Sequence, residues 1–177
     1  FLIENGIAAL NAHTNLDRAP GGVNDCLAGR LGLTDVAVLH PDGTDAQGRD
    51  YGLVRVGRCA EMTPEAFAAH VRDALHCPGL RYAAGTRPIR RVAVGGGACG
   101  GELEAVAASG CDAFVTADLK YNQFADAAAL GLTLVDAGHF ETENPVCEYL
   151  AAQVRAAFPE VEVRVSQRHG DCIRFLR

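Results

Sequence analysis

Tryptophan is absent from this chain of 177 residues, and aromatic residues make up only 6% of it. Basic runs are absent as well, and 22 acidic against 16 basic side chains give a formal net charge of −6. Surfaces that bind nucleic acids carry clustered Lys and Arg, often beside aromatic rings that stack on bases. We therefore expect no nucleic-acid partner.

Long hydrophobic runs and a signal peptide are also missing from the sequence. A membrane-spanning helix needs about 20 consecutive apolar residues, so no membrane partner is expected. Hydrophobic content of 49% and charged content of 21% are typical of a globular domain. The chain begins with Phe1 rather than Met, and we expect that its natural N-terminal part is missing.

The sequence also lacks Cys-x-x-Cys pairs, although it contains seven cysteines. Their odd number and scattered spacing argue against a disulfide framework or a thiolate zinc site. Reduced, mostly buried thiols predict a cytoplasmic protein. No Gly-x-Ser-x-Gly motif is present, so nothing indicates a serine hydrolase.

Apolar runs alternate with helical patterns along the chain. Strands are predicted over residues 7–12, 36–39, 51–59, 89–94, 113–116, 132–135, 161–165 and 172–176. Helices are predicted over residues 23–31, 102–109, 121–130 and 145–158, and from the Thr63-Pro64-Glu65 start to about Pro78. This alternation predicts an α/β fold with a largely parallel sheet in a single domain over 1–177.

Two segments carry the strongest chemical signal, Ala-His-Thr-Asn-Leu-Asp at 12–17 and Asp-Ala-Gly-His-Phe-Glu-Thr-Glu at 136–143. Each places a histidine four residues before a carboxylate, His13 before Asp17 and His139 before Glu143. On a helical turn such pairs share one face. Imidazole nitrogen and carboxylate oxygen suit zinc, iron, manganese or nickel. The two pairs together predict a metal site.

Simpler roles stay open for the same residues. Glu143 would complement the N-terminus of the following helix, with Thr142 as a competing N-cap. His13 would be a satisfied core histidine, and Asn15 or Asp17 would shape a turn before Pro-Gly-Gly at 20–22.

A glycine-rich loop at residues 95–101 offers a competing interpretation. Gly95, Gly97 and Gly100 match the dinucleotide fingerprint between a strand and a helix. Asp118 follows the next strand, where a ribose-binding carboxylate is expected. A nucleotide-binding oxidoreductase is therefore one alternative, and a tight strand-to-helix turn is another.

A set of short segments extends over nearly the whole chain. It comprises the two histidine segments, Gly-Gly-Val-Asn-Asp at 21–25, Leu-Gly-Leu at 31–33, Val-Arg-Val-Gly at 54–57, Val-Ala-Val-Gly-Gly-Gly at 92–97, Asp-Ala-Phe-Val-Thr at 112–116 and Asp-Leu-Lys-Tyr at 118–121. In this order and spacing the set resembles the GTP cyclohydrolase 1 type 2 family, also called Nif-three-like. The resemblance implies an intertwined, two-lobed α/β domain with mixed, largely parallel sheets, the first lobe at about 1–60 and the second at about 85–177.

The resemblance also implies a dinuclear metal centre in a toroidal homohexamer. Carried over to this chain, the metal ligands are Asp17, His139 and Glu143, with Glu143 bridging two divalent ions. His13 lies beside the ions in this pattern as a catalytic acid or base. An adjacent His-His pair that supplies further ligands in the family is absent here, and Asn122 stands where relatives usually have histidine.

The family name implies a metal-dependent hydrolase that opens the purine ring of a nucleotide, GTP. Two divalent ions would lower the pKa of a shared water, and amides of residues 95–101 could hold a phosphate of the substrate. The alternative within the same family is a non-enzymatic, ring-forming assembly protein in which the metal centre stores or senses metal.

Overall fold

The computed structural model describes residues 1–176. Its helices are α1 (Thr14–Arg18), α2 (Val23–Arg30), α3 (Pro64–Leu75), α4 (Leu103–Ala108), α5 (Tyr121–Ala129), α6 (His139–Glu143) and α7 (Pro145–Ala157). Its strands are β1 (Thr34–Val38), β2 (Gly43–Thr44), β3 (Asp50–Tyr51), β4 (Arg55–Met62), β5 (Arg81–Ala83), β6 (Ile89–Val94), β7 (Ala113–Thr116) and β8 (Thr133–Asp136).

One six-stranded sheet, in the order β1-β4-β6-β7-β8-β5, organises the molecule. Strands β6, β7 and β8 are parallel to one another, whereas β1, β4 and β5 join through antiparallel pairs. Strands β2 and β3 form a separate two-stranded sheet. The predicted α/β class, with a mixed sheet and a parallel centre, is confirmed. The division into two lobes stays a prediction.

The central strands separate two apolar layers. Along β6, Val92 and Val94 pack on the side of α2 and α3, while Ala93 between them packs on the side of α4 and α5. Along β7, Phe114 lies on the α4 side and Val115 on the opposite side. Side chains of a strand alternate between faces, and a parallel sheet covered on both faces needs apolar residues on both. This explains the unbroken apolar runs in the sequence.

Helix α3 illustrates how local signals set the bounds of an element. The Thr63 hydroxyl accepts a hydrogen bond from the Ala66 amide at 3.2 Å, and Pro64 occupies the first helical position. The helix ends at Leu75, and the residue that follows it, His76, has a left-handed φ of 58°. The predicted Thr63 start is therefore confirmed, and the predicted end near Pro78 lies slightly too far along.

Three predicted strands are wrong. Residues 7–12, 161–165 and 172–176 contain no strand, and Ile7, Leu10, Val161 and Ile173 are exposed. The apolar pattern was present, but within residues 1–176 no neighbouring strand pairs with these segments. A strand needs such a partner for its amides and carbonyls. Over the same residues, no helix has both the length and the hydropathy needed to cross a bilayer.

Candidate metal centre

The candidate site lies at one edge of the sheet. Strands β6, β7 and β8 run parallel, so the loops after them meet at their carboxyl ends, where open α/β folds bind ligands. Gly97 and Asp118 lie in these loops, and His139 begins helix α6 directly after the loop that follows β8. Three segments distant in sequence are thereby brought together.

The imidazole of His139 makes a polar contact through each of its two ring nitrogens. Its Nδ1 lies 2.6 Å from Oδ2 of Asp118, and its Nε2 lies 3.1 Å from Oε1 of Glu143. His139 and Glu143 share one face of the short helix α6, as their spacing predicted. The hydrogen bond with Asp118, followed by the charge of Glu143, raises the pKa of His139, and partial burial opposes this shift.

Helix α1 brings the other predicted pair to the same place. His13, Asp17, His139 and Glu143 all line one cavity of about 440 Å³. His13 is exposed, so the core-histidine alternative is wrong. Asn15 accepts a hydrogen bond from the His13 amide at 2.8 Å, which supports a role for Asn15 in shaping the local turn.

The electrostatics of the cavity favour a cation. Burial, followed by the negative charge of Glu143, raises the pKa of the Asp17 carboxyl. Asp171 is a third carboxylate on the cavity wall, and the described lining includes no Lys or Arg. The carboxylates of Asp17 and Glu143 repel one another, and a bound cation would relieve that repulsion.

Asn24 connects the two halves of the site and has no exposed surface. Its Nδ2 donates to the carbonyl oxygens of Asp17 at 3.1 Å and Leu53 at 2.6 Å. Its Oδ1 accepts from the Gly96 amide at 2.6 Å. One buried amide therefore ties the helix that carries Asp17 to the glycine loop beneath His139.

Arg55 holds the C-terminal end of helix α1 in place through hydrogen bonds. Its buried guanidinium donates to the carbonyl oxygens of Arg18 at 3.2 Å, Ala19 at 3.1 Å and Gly52 at 2.6 Å. Asp25 accepts from the Arg55 Nε at 2.7 Å and balances the charge. A buried cation is tolerated only with such partners, so this cluster sets where α1 ends.

The amides of the glycine loop are largely occupied by protein acceptors. The amide of Gly95 donates to Val115 O, that of Gly97 to Thr142 Oγ1, and that of Gly96 to Asn24. A loop that cradles a phosphate needs its amides directed at the ligand. These contacts favour the tight-turn interpretation of the loop over a dinucleotide site.

Gly97 allows the loop to approach the site closely. A Cβ at this position would lie 2.3 Å from Oε1 of Glu143 and 3.2 Å from Nε2 of His139. Its φ of +64° is also left-handed, a conformation that glycine adopts without strain. The glycine loop that resembled a nucleotide-binding motif in the sequence therefore packs closely against His139 and Glu143.

The donor chemistry fits a divalent ion, since three imidazoles and three carboxylates line a single cavity. Within residues 1–176, however, no group of three or more His, Cys, Asp or Glu side chains is arranged so that it could hold a metal ion. His139 instead contacts Asp118 and Glu143 directly. Binding an ion therefore requires rotation of these side chains.

The opposite wall of the cavity comes from the C-terminal segment. The rings of Phe140 and His169 lie 5.1 Å apart, centroid to centroid, which places residues 169–173 over helix α6. Cys147 and Cys172 line the same cavity. Phe140, Cys147 and Ile173 give this wall an apolar part, whereas His169 and Asp171 add polar groups to it.

Sequence reasoning missed three residues that build the site: Asn24, Asp136 and Thr142. Thr142 was considered only as an N-cap, but its buried hydroxyl accepts from Gly97 and lies inside α6. Asp136 accepts from the amides of Leu119 at 3.2 Å and Gly138 at 3.3 Å, which joins the loops after β7 and β8. Polar residues at the carboxyl ends of parallel strands are the signal that could have pointed to Asp136.

The thiols provide a test of the packing around the site. Burial raises the pKa of Cys77 and of Cys99 to about 12, whereas Cys172 is exposed. Thiolates, not thiols, react with alkylating reagents. We expect iodoacetamide at pH ~8 to modify Cys172 first and to leave Cys77 and Cys99 unmodified until urea unfolds the chain. Peptide mass spectrometry measures this order, and equal rates for Cys99 and Cys172 would contradict the packing described.

Comparison with known proteins gives a consistent result. The family model described as Duf34/NIF3 (NGG1p interacting factor 3) matches residues 1–171. The "GTP cyclohydrolase 1 type 2 homolog" of Streptomyces coelicolor is 41% identical over 174 residues, which are 96% of this chain and 58% of that protein. The protein of the same description from Nostoc sp. is 37% identical over 157 residues, 85% of this chain and 57% of its own length.

Solved structures agree with the sequence comparisons. The Staphylococcus aureus hypothetical protein SA1388 superimposes with a TM-score of 0.89 at 27% identity, over 99% of this chain and 71% of that one. A Bacillus cereus protein related to NIF3 gives a TM-score of 0.85 at 25% identity, over 98% and 75% of the two chains. The chain spans less than three fifths of the length of each of these two curated relatives. The family model and the solved structures therefore agree, and the chain belongs to the Duf34/NIF3 family.

Proposed function

We propose that this chain carries the metal-binding site of a metal-dependent hydrolase. The observation that supports it is the convergence of His13, Asp17, His139 and Glu143 on one cavity, although they come from opposite ends of the chain. Asp17 and Glu143 would neutralise divalent ions with their carboxylates, and His139 would bind through Nε2. Two bound ions would supply a Lewis acid and a hydroxide at neutral pH.

The protein groups have separate tasks in this proposal. His13 is exposed at the cavity, 3.1 Å from the Thr14 hydroxyl through its Nδ1, and would move a proton to or from the substrate. The apolar wall that includes Phe140 and Ile173 would exclude water from a bound ring. The relatives are called GTP cyclohydrolase 1 type 2 homologs, and hydrolytic opening of a purine nucleotide is therefore the reaction we propose.

Metal loading is the first test. We expect the chain to bind zinc, iron(II) or manganese after incubation and desalting, and expect His139→Ala and Glu143→Gln to reduce the bound metal by roughly tenfold or more. His40→Ala is the matched control, because His40 is exposed and does not line the cavity. Inductively coupled plasma mass spectrometry measures the content. A chain that binds none of the three metals, or equal loading of all variants, would refute the proposal.

A ring-forming assembly protein is the second candidate, and exposed apolar side chains favour it. Tyr149, Leu150 and Val154 on α7 are 40%, 36% and 39% exposed, and Phe158 beyond the helix is 54% exposed. Apolar patches of this kind mark surfaces that contact other protein. Tight metal loading without turnover of GTP would favour this candidate, whereas release of formate would favour the hydrolase.

A further inference from the structure

The contact between Asp118 and His139 determines which nitrogen the imidazole presents to the cavity. Nδ1 of His139 lies 2.6 Å from Oδ2 of Asp118. An ionised carboxylate can only accept hydrogen bonds, so Nδ1 must carry the proton and donate. Glu143 can accept a hydrogen bond from Nε2 at 3.1 Å in the same way when the ring is protonated. When the ring is neutral and keeps its contact with Asp118, Nε2 carries the lone pair that could bind an ion.

The backbone around Asp118 is held from two sides. Asp118 has a left-handed φ of 55°, which is uncommon for a residue other than glycine although Asp tolerates it better than most. The Ala117 amide donates to Gly97 O at 2.9 Å, and the Leu119 amide donates to Asp136 at 3.2 Å. Uncommon backbone conformations persist where the surroundings impose them, and they cluster at functional sites.

Arg81 adds a third restraint to the same turn. Its Nη2 donates to the carbonyl oxygen of Leu119 at 3.0 Å and also pairs with Asp136. The guanidinium lies 5.3 Å from the centre of the Phe124 ring on helix α5. Arg81 therefore connects the turn after β7 to Asp136 at the end of β8 and to helix α5. In this arrangement the Asp118 carboxylate points at His139.

We propose that Asp118 is a positioning residue. Its carboxylate holds His139 in the Nδ1–H tautomer and orients the ring so that Nε2 lies beside Glu143. Metal-binding histidines commonly donate their second nitrogen to a carboxylate in this way. The consequence for metal binding rests on the proposed function, but the tautomer does not. The sequence had suggested Asp118 as a ribose ligand, a role in which its carboxylate would face a nucleotide instead of an imidazole.

Two readouts test the proposal, and one of them needs no metal. The ¹⁵N chemical shifts of the His139 ring, recorded on metal-free protein at alkaline pH, identify which nitrogen is protonated. Competition with a chromophoric chelator gives the zinc affinity. The variants are Asp118→Asn, which preserves shape but removes the anionic acceptor, and Asp118→Ala. The control is Asp126→Asn, because Asp126 is an exposed acid on α5 that does not line the cavity.

The expected result has two parts. The wild-type chain and Asp126→Asn should show Nδ1–H, and both Asp118 variants should show a mixed or Nε2–H population. Zinc affinity should fall by roughly 10- to 100-fold in the Asp118 variants alone.

Failure of the inference can be separated from failure of the proposed function. Predominant Nε2–H in the wild-type chain would overturn the positioning role, whatever the zinc affinity. Zinc binding that needs His139 but is unchanged in both Asp118 variants would also overturn it, while the metal site would survive. An Nδ1–H tautomer that depends on Asp118, in a chain that binds no zinc, would support the positioning of His139 and refute the metal site.

Discussion

Replacing Asn24 by alanine is expected to lower the free energy of unfolding by about 3 kcal/mol. The change removes a fully buried side chain that makes three hydrogen bonds, to the carbonyls of Asp17 and Leu53 and to the Gly96 amide. Those three backbone groups would lose their partners, and a buried polar group without one is costly. Urea denaturation of wild-type and variant chains measures the difference.

Asn122→Ala provides the matched control for this change. Asn122 is an exposed asparagine in the first turn of α5, and its replacement should change the free energy of unfolding by less than about 0.5 kcal/mol. Asn24→Asp adds a second test, because a carboxylate could still accept from Gly96 but could not donate to the two carbonyls. It should therefore destabilise the chain at least as much as alanine does. Equal stability of the Asn24→Ala and Asn122→Ala variants would contradict the role of Asn24.

The local patterns of the sequence were sufficient for much of the fold. Strands β6 and β7 have the predicted bounds, 89–94 and 113–116, because each contains a short apolar run, 92–94 and 113–115, next to turn-forming or polar residues. Helix α3 starts where the Thr-Pro-Glu signal predicted. The failed strands show the limit of such patterns. Residues 161–165 alternate like a strand, but pattern alone does not reveal whether a neighbour is available to accept the hydrogen bonds.

The site was predictable in composition but not in arrangement. The histidine-carboxylate spacing identified His13, Asp17, His139 and Glu143 because helical periodicity is a local property. The contact of His139 with Asp118 depends on the order of β7 and β8 in the sheet, which no local pattern encodes. The structural role of Asn24 could not be predicted from the sequence for a related reason. A polar residue in an amphipathic helix is usually solvated, and only the tertiary structure shows that this one is buried.

Replacing Gly97 by alanine is expected to weaken zinc binding by roughly tenfold or more, by analogy with losses at residues that position ligands. The new Cβ would lie 2.3 Å from Oε1 of Glu143, closer than real Cβ contacts allow. Because Oε1 is the end of a flexible side chain, we expect the carboxylate to swing away from His139 while the backbone stays in place. The left-handed φ of +64° adds a stability cost of about 1 kcal/mol.

Gly32→Ala separates these two effects. Gly32 has a similar left-handed φ of +67°, but no atom lies within 4 Å of the position that its Cβ would take. Both variants should therefore lose comparable stability in urea, because both place alanine in the same strained conformation. Only Gly97→Ala should also lose zinc affinity, since only there does the methyl group displace a candidate ligand. Wild-type zinc affinity in both variants would mean that the carboxylate of Glu143 does not hold the ion. An equal loss in both would attribute the effect to backbone strain instead of to the approach of the glycine loop to the His139–Glu143 pair.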